Sequence, residues 1–241
     1  MKSLDGQIAL VTGASRGIGR AVAVSLATQG AHIVAAARNQ ELLDKLVKDI
    51  EQIGHKAAAV TFDLADESSI NTLVEQIKTQ FGQLDILVNN AGLTHSALME
   101  ETTTADFDRI MAVNTRGPYI LTRQCLPLLK RSPQATIVNI ASVVGVKGYP
   151  KQSAYTASKH ALRGWSIALA EELRGSNIRV HVLCPGGVDT DMVSNVRPDI
   201  PKDALISPEE IAELVTYCAT HKGNAVIDEF RIRRTASGPW F

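Results

Sequence analysis

The chain has 241 residues, 45% of them hydrophobic, and its 25 basic residues balance 25 acidic ones. That length suits one large α/β domain or two small ones, and zero net charge argues against a nucleic-acid track or an anionic membrane surface. Cys125, Cys184 and Cys218 are odd in number and widely spaced, which excludes a disulfide framework or a zinc pattern. Free thiols, a polar opening hexapeptide and no apolar run near the ~18 residues of a membrane span predict a cytoplasmic protein.

In chain order, Ile8–Thr12 is a short apolar run closed by Gly13, the pattern of a buried parallel strand. Arg16–Gln29 carries helical periodicity through Ile18, Val22 and Leu26 and stops at Gly30. The pair then repeats. Strand His32–Ala37 precedes helix Gln40–Ile53, and strand Ala57–Phe62 precedes helix Glu67–Phe81, with Gly54 and Gly82 as the stops. Strand Leu84–Val88 leads to a helical region from about Thr104 to Leu129. Strand Thr136–Ile140 is followed by the long helix Ser153–Arg174, and strand Ile178–Leu183 by helix Glu209–Ala219 and a last strand, Val226–Ile232. This alternation predicts an α/β protein. It is a Rossmann-like, doubly wound sheet of about seven parallel strands with helices on both faces, in a single domain spanning 1–241.

Open parallel sheets bind ligands beyond the carboxyl ends of their strands, and the unusual residues fall there. Gly13 follows the first strand, Arg38 the second, Asp63 the third, Asn89-Asn90-Ala91-Gly92 the fourth, Ser142 the fifth and Pro185-Gly186 the sixth. One or two such placements arise by chance; six in register predict one site along that edge. Thr12–Gly19 has the spacing Gly-x-x-x-Gly-x-Gly. Its glycines let the backbone approach a phosphate, and a helix N-terminus favours a pyrophosphate. By itself such a loop is also an ordinary tight turn. No lysine followed by Ser or Thr is present there, so it is not a P-loop. Where a carboxylate would accept hydrogen bonds from an adenosine ribose, this chain has Ala37-Arg38. A guanidinium suits a 2′-phosphate, with Arg16 as a second. NADP(H) is therefore expected in preference to NAD(H), which stays the alternative.

Tyr155 and Lys159, four apart, share a helix face. An ammonium beside a phenol lowers its pKa from ~10, and a fall of about three units takes roughly 4 kcal/mol of differential stabilisation. Such a pair serves as a general acid/base, though the spacing is common on helices with no such role. The six histidines show no ligand spacing, so no metal is expected.

Together, Thr12–Gly19, Asn89–Gly92, Asn114, Ser142, Tyr155 with Lys159, and Pro185-Gly186 with Thr190 resemble the short-chain dehydrogenase/reductase family, from Leu4 to about Ala219. The resemblance implies a catalytic set of Asn114, Ser142, Tyr155 and Lys159. Tyr155 would protonate a substrate carbonyl oxygen, or deprotonate the alcohol in reverse, and Ser142 would hydrogen-bond that oxygen. Lys159 would hold the nicotinamide ribose and lower the tyrosine pKa, and Asn114 would hold a water on a proton relay. The implied cofactor contacts are Gly13, Ser15, Arg16, Gly17, Ile18, Gly19, Arg38, Asp63, Leu64, Asn90, Ala91, Gly92, Pro185, Gly186, Val188 and Thr190, with Tyr155 and Lys159. Asp63 and Leu64 would meet the adenine and Thr190 the carboxamide.

A substrate lid is expected over about 190–207, brief and poor in aromatics, with Val144, Tyr149, Met192 and Val193 beside Ser142 as substrate contacts. Helices Thr104–Leu129 and Ser153–Arg174 are apolar on more than one face, so each is buried on two sides, by intramolecular packing or by a partner; the resemblance, in which these two helices pair across a two-fold, implies a homodimer or homotetramer. After the last strand the chain departs from the Asp-Gly-Gly turn of many relatives: Asp228–Arg234 is arginine-rich, an edge strand or inter-subunit contact, and Trp240 and Phe241 would dock on a partner. Within the family, Leu4–Gly19 and Ser142–Gly145 look most like 3-oxoacyl-[acyl-carrier-protein] reductases. Lys130, Arg131, Arg174 and Arg179 would then receive an acyl carrier protein, although they are equally ordinary surface charge. The alternatives are a reductase or dehydrogenase of small ketones, sugars or polyols, and a dinucleotide-binding regulator without turnover.

Overall fold

The computed structural model describes residues 3–239. Seven strands form one sheet: β1 (Ile8–Thr12), β2 (His32–Ala37), β3 (Ala57–Thr61), β4 (Ile86–Asn89), β5 (Ala135–Ile140), β6 (Ile178–Pro185) and β7 (Glu229–Ile232). Their order is β3-β2-β1-β4-β5-β6-β7, with every pairing parallel. The central strands β1, β4 and β5 are buried throughout, which explains their continuous apolar sequence.

The helices divide between the two faces. On one face α1 (Gly17–Thr28), α2 (Gln40–Gln52) and α8 (Pro208–Thr220) bury Val22, Leu26, Leu46, Ile211 and Val215 against the sheet. On the other, α3 (Glu67–Phe81), α5 (Gly117–Leu129) and α6 (Ser153–Glu172) bury Ile70, Leu73, Leu121, Leu128 and Leu169. The helix starts follow local chemistry. Asn39 caps α2 through Leu42 N, Asp66 caps α3 through Ser68 N, and Ser207 with Glu210 forms a capping box ahead of Pro208 on α8. Gly82, at φ 72°, ends α3 in the left-handed conformation.

Topology places the site. From β1 the chain winds outward to β3, then crosses back to β4 and winds to β7. The direction reverses between β1 and β4, and a crevice opens there at the carboxyl ends. The amino ends are tied instead by Asp85, whose carboxylate accepts from Ile8 N at 2.8 Å and Ser132 Oγ at 2.5 Å.

Two expectations change, and a third segment gains detail. The single helical region from Thr104 to Leu129 is α4 (Thr104–Met111), a π-helical stretch over Ala112–Arg116 and then α5. The expected lid segment holds α7 (Asp191–Val196) and a 3-10 turn at Lys202–Ala204, and a bridge between Val188 and Ile206 closes its base. The final strand begins at Glu229 rather than Val226, because pairing to β6 starts where Val182 N reaches Asp228 O. It is an edge strand of the sheet. The expected docking of Trp240 and Phe241 lies outside the described residues.

Candidate active site

Two loops form the floor of the crevice, and Thr12 stitches them together. Its hydroxyl donates to Val88 O at 3.2 Å and accepts from the amides of Asn90 and Ala91 at 3.0 and 3.1 Å. The Asn90 side chain returns the contact, donating to Thr12 O at 2.9 Å. Gly13 and Gly17 have φ of 65° and 53°, and a Cβ on Gly13 would come within 2.9 Å of Ala91 Cα. Only glycine lets the two loops approach this closely. The N-cap of α1 is Arg16, which makes no side-chain cap bond, so the first amides of α1 are left for an anion.

The carboxyl end of β5 supplies Ser142, the N-cap of a 3-10 turn, whose hydroxyl accepts from Val144 N at 3.3 Å. From α6 come Tyr155, half-buried, and Lys159, which is 4% exposed. The Lys159 ammonium donates to Ile140 O at 2.9 Å, and burial pulls its pKa down to about 8. Tyr155 departs from the expectation. Burial raises its pKa, and a hydrogen bond with Ser142 only opposes that rise. The expected net lowering is not found in the protein alone, where burial is the largest effect on the phenol. The phenol is held in its neutral form.

Asn114 sits in the π-helical stretch, 1% exposed. Its Nδ2 donates to Leu93 O at 2.8 Å and Ser158 Oγ at 3.0 Å, and its Oδ1 accepts from Leu93 N at 2.7 Å. Ser158 in turn donates to Tyr155 O at 2.8 Å. The π turn therefore fixes the loop after β4 against the helix that carries Tyr155 and Lys159. π turns commonly mark functional sites.

One cleft of about 1230 Å³ collects nearly every residue singled out from the sequence. Gly13, Ser15, Arg16, Gly17, Ile18, Arg38, Asp63, Leu64, Asn90, Ala91 and Gly92 line it on one side. Ser142, Val144, Tyr149, Tyr155, Lys159, Pro185, Gly186, Val188, Thr190, Met192 and Val193 line it toward the lid. Gly19 and Asn114 stand behind its wall instead. A Cβ on Gly19 would lie 2.3 Å from Gly13 O, so this glycine allows packing rather than contact. Arg38 is exposed at the end of β2 and bonds to no described residue, which leaves it open to a phosphate. Arg16 is engaged: it pairs with Asp191 of α7 at 2.8 Å, both about 70% exposed, and ties the glycine loop to the lid. Among the described residues no group of His, Cys, Asp and Glu could hold a metal, and none of their helices is long and apolar enough to cross a membrane.

Three of the four cations expected to receive a carrier protein also make contacts within the chain. Arg131 donates to Gly82 O, Arg179 to the carbonyls of His221 and Gly223, and Arg174 pairs with Glu171. The thiol of Cys184 is buried and pushed up to about 11, so it is a core residue. Lys147, Lys151 and Arg197, which the sequence did not mark as site residues, also line the cleft, as do Arg233 and Arg234, expected at an edge strand or inter-subunit contact. The tail arginines had a visible signal, their place after the last strand, but nothing in the sequence said that they fold back over the site.

Residues 7–201 match the family described as short chain dehydrogenase. This chain belongs to that family. A 3-oxoacyl-[acyl-carrier-protein] reductase FabG of Thermotoga maritima is 34% identical over 232 residues, covering 92% of this chain and 94% of its own. The uncharacterized oxidoreductase YxjF of Bacillus subtilis is 35% identical over 240 residues, covering 91% and 93%. Among solved structures, a metagenomic short-chain oxidoreductase in complex with NADP superposes with a TM-score of 0.86 at 35% identity, over 97% of this chain and 99% of that one. An alcohol dehydrogenase of Thermococcus sibiricus, complexed with 5-hydroxy-NADP, gives 0.90 at 28% identity, over 98% and 99%. The chain is thus a short-chain dehydrogenase family oxidoreductase, and the cleft at its β1/β4 switch point is the natural place for a dinucleotide.

Proposed function

We propose that this enzyme reduces a carbonyl to a secondary alcohol with NADPH, and that Tyr155 is the proton donor. The observation that carries the reading is the neutral phenol of Tyr155, in hydrogen-bond contact with Ser142 and one helical turn from the buried ammonium of Lys159. The cofactor fits the residues present. The uncapped N-terminus of α1 and the left-handed glycines Gly13 and Gly17 would hold a pyrophosphate. Arg38 would hold the 2′-phosphate, Asp63 and Leu64 the adenine side, and Thr190 the carboxamide side. A bound nicotinamide supplies the hydride.

The remaining chemistry belongs to the chain's own groups. Negative charge develops on the carbonyl oxygen during reduction, and two hydroxyls placed to donate, on Ser142 and Tyr155, stabilise it. A phenol with a raised pKa arrives protonated, as a general acid requires. Lys159 would hold the ribose hydroxyls and place a positive charge beside the phenolate left after transfer. Asn114 orients the machinery through Leu93 and Ser158, and one lone pair of its Oδ1 is left for a relay water.

The finer assignment we favour is a 3-oxoacyl-[acyl-carrier-protein] reductase, supported by the names of several relatives. We also propose that the chain works as a homodimer or homotetramer. Tyr119, Phe107 and Ile167 are exposed on α5, α4 and α6, and the neighbouring Trp165 has a buried Nε1 without a partner among the described residues. Light scattering of the purified protein checks the assembly. Turnover is checked by loss of reduced-nicotinamide absorbance with acetoacetyl thioester, run with NADPH and NADH on wild type and Tyr155→Phe. Wild type should turn over with NADPH, and the variant should bind NADPH yet lose turnover by at least a hundredfold. Equal rates would remove Tyr155 as the donor. NADPH binding with no turnover of any carbonyl by either protein would favour a binding module.

A further inference from the structure

The cleft is far more basic than the chain. Ten lysines and arginines line it against four aspartates and glutamates, whereas the whole sequence carries 25 of each sign. Arg16, Arg20 and Arg38 surround the glycine loop and the end of β2, where a dinucleotide's phosphates fall, and Lys159 belongs to the reacting centre. Six cations remain on the lid, the tail and the loop before α6: Lys147, Lys151, Arg197, Lys202, Arg233 and Arg234. The dinucleotide does not account for them.

Two of the six are placed in ways that packing does not explain. Arg234 follows β7 and is half-buried. Its side chain lies over Gly187, where a Cβ would meet Arg234 Cδ at 3.5 Å and Nε at 3.7 Å. Its guanidinium bonds to no described residue. The nearby Asp199 carboxylate is already held by Arg197 through two hydrogen bonds, at 2.8 and 2.7 Å. Arg233, by contrast, is spent on the carbonyls of Arg234, Thr235 and Ser237. Asp199 attracts Arg234 without a hydrogen bond between them, so this half-buried guanidinium keeps donors for a ligand to satisfy. Lys151 is the one residue other than glycine with a positive φ among the described residues, at 63°. A lysine held in that strained conformation at the mouth of a cleft points to a role for its side chain. Around them, Lys147 Nζ stands 5.2 Å from the Tyr149 ring.

We propose that the lid side of the cleft is an anion subsite built on Arg234 and Lys151, and that the carbonyl substrate carries a carboxylate or a phosphate which this subsite recognises. The proposal rests on the reductase reading and narrows its substrate class. Arg234 is then the specificity-determining residue, gripping the anion while Tyr155 and Ser142 meet the carbonyl.

The test is steady-state kcat/KM with NADPH on two matched pairs. Acetoacetate against methyl acetoacetate probes a carboxylate, and acetoacetyl-pantetheine 4′-phosphate against acetoacetyl-pantetheine probes a phosphate. In at least one pair, wild type should prefer the anion by tenfold or more. Arg234→Gln should cut that preference by about tenfold, which corresponds to about 1.4 kcal/mol and is the scale of one charged hydrogen bond. The pair that responds identifies the anion. Lys151→Gly should also lower the preference while its melting temperature holds or rises, since glycine relieves the backbone; this separates recognition from folding. Equal use of charged and neutral partners by wild type, or a preference unchanged in Arg234→Gln, overturns the proposal. If wild type reduces neither pair, these substrates are wrong for the enzyme whatever the subsite does, and calorimetry decides the subsite. Succinate or inorganic phosphate titrated into NADP+-loaded protein should bind wild type and not Arg234→Gln, and absence of binding to wild type refutes it.

Discussion

Replacing Lys159 by methionine isolates the buried ammonium, a group that the chemistry needs and the fold resists. Lys159 is 4% exposed, and burial holds its pKa at about 8 instead of 10.5. Between those two values the unfolded chain keeps a proton that the folded protein has released, so stability rises with pH across the window. The penalty is present in full below pH 8 and has faded above 10.5. Combining the two titrations from pH 7 to pH 9.5 gives a gain of about 2 kcal/mol from this one residue. Methionine has a similar length and no charge, so the variant lacks that gain. It also loses the 2.9 Å bond to Ile140 O, worth about 1 kcal/mol, but loses it equally at both pH values. Urea melts of both proteins at pH 7 and pH 9.5, free of cofactor, should therefore show the stability difference, wild type minus variant, increasing by about 2 kcal/mol. Other groups that titrate in this range cancel in the comparison. Parallel pH dependence in the two proteins would refute the argument that Lys159 is held deprotonation-prone by burial.

Two further outcomes follow from the cofactor side of the cleft. Arg38→Asp should lower the NADPH-to-NADH ratio of kcat/KM by tenfold or more, because it removes a charge-assisted contact and adds a like charge to the 2′-phosphate; an unchanged ratio would take Arg38 out of cofactor selection. Gly19→Ala should destabilise the protein by about 1–3 kcal/mol in denaturant melts and weaken NADPH binding in fluorescence titrations, since the added Cβ would lie 2.3 Å from Gly13 O and 2.5 Å from Asn90 Nδ2; wild-type stability would show that the glycine loop yields more easily than its packing indicates.

Strand and helix identity was legible because burial and periodicity are local. Ile8–Thr12, His32–Ala37 and Glu67–Phe81 fall where their patterns and stop residues put them. The arrangement of the site was legible for a related reason. In a parallel sheet every strand delivers its carboxyl end to the same edge, so residues that follow strands must gather there. That is why Gly13, Arg38, Asp63, Asn90, Ser142 and Pro185 share one cleft. The π turn at Ala112–Arg116 was hidden, since its extra residue leaves no mark on a helical pattern and is held by Asn114 bonding to Leu93 and Ser158.

Residue types and strand-end order, then, are properties of the sequence alone, because chemistry and alternation are carried residue by residue. What only tertiary structure decided are quantities that depend on surroundings. The Tyr155 phenol rises rather than falls because burial outweighs its bond with Ser142. Arg16 is held by Asp191, 175 positions along the chain, while Arg38 has no such partner among the described residues. The arginines after β7 become part of the cleft only because the edge strand brings them back beside Gly186 and Gly187. Desolvation and long-range pairing are set by the folded environment, and no window of sequence contains them.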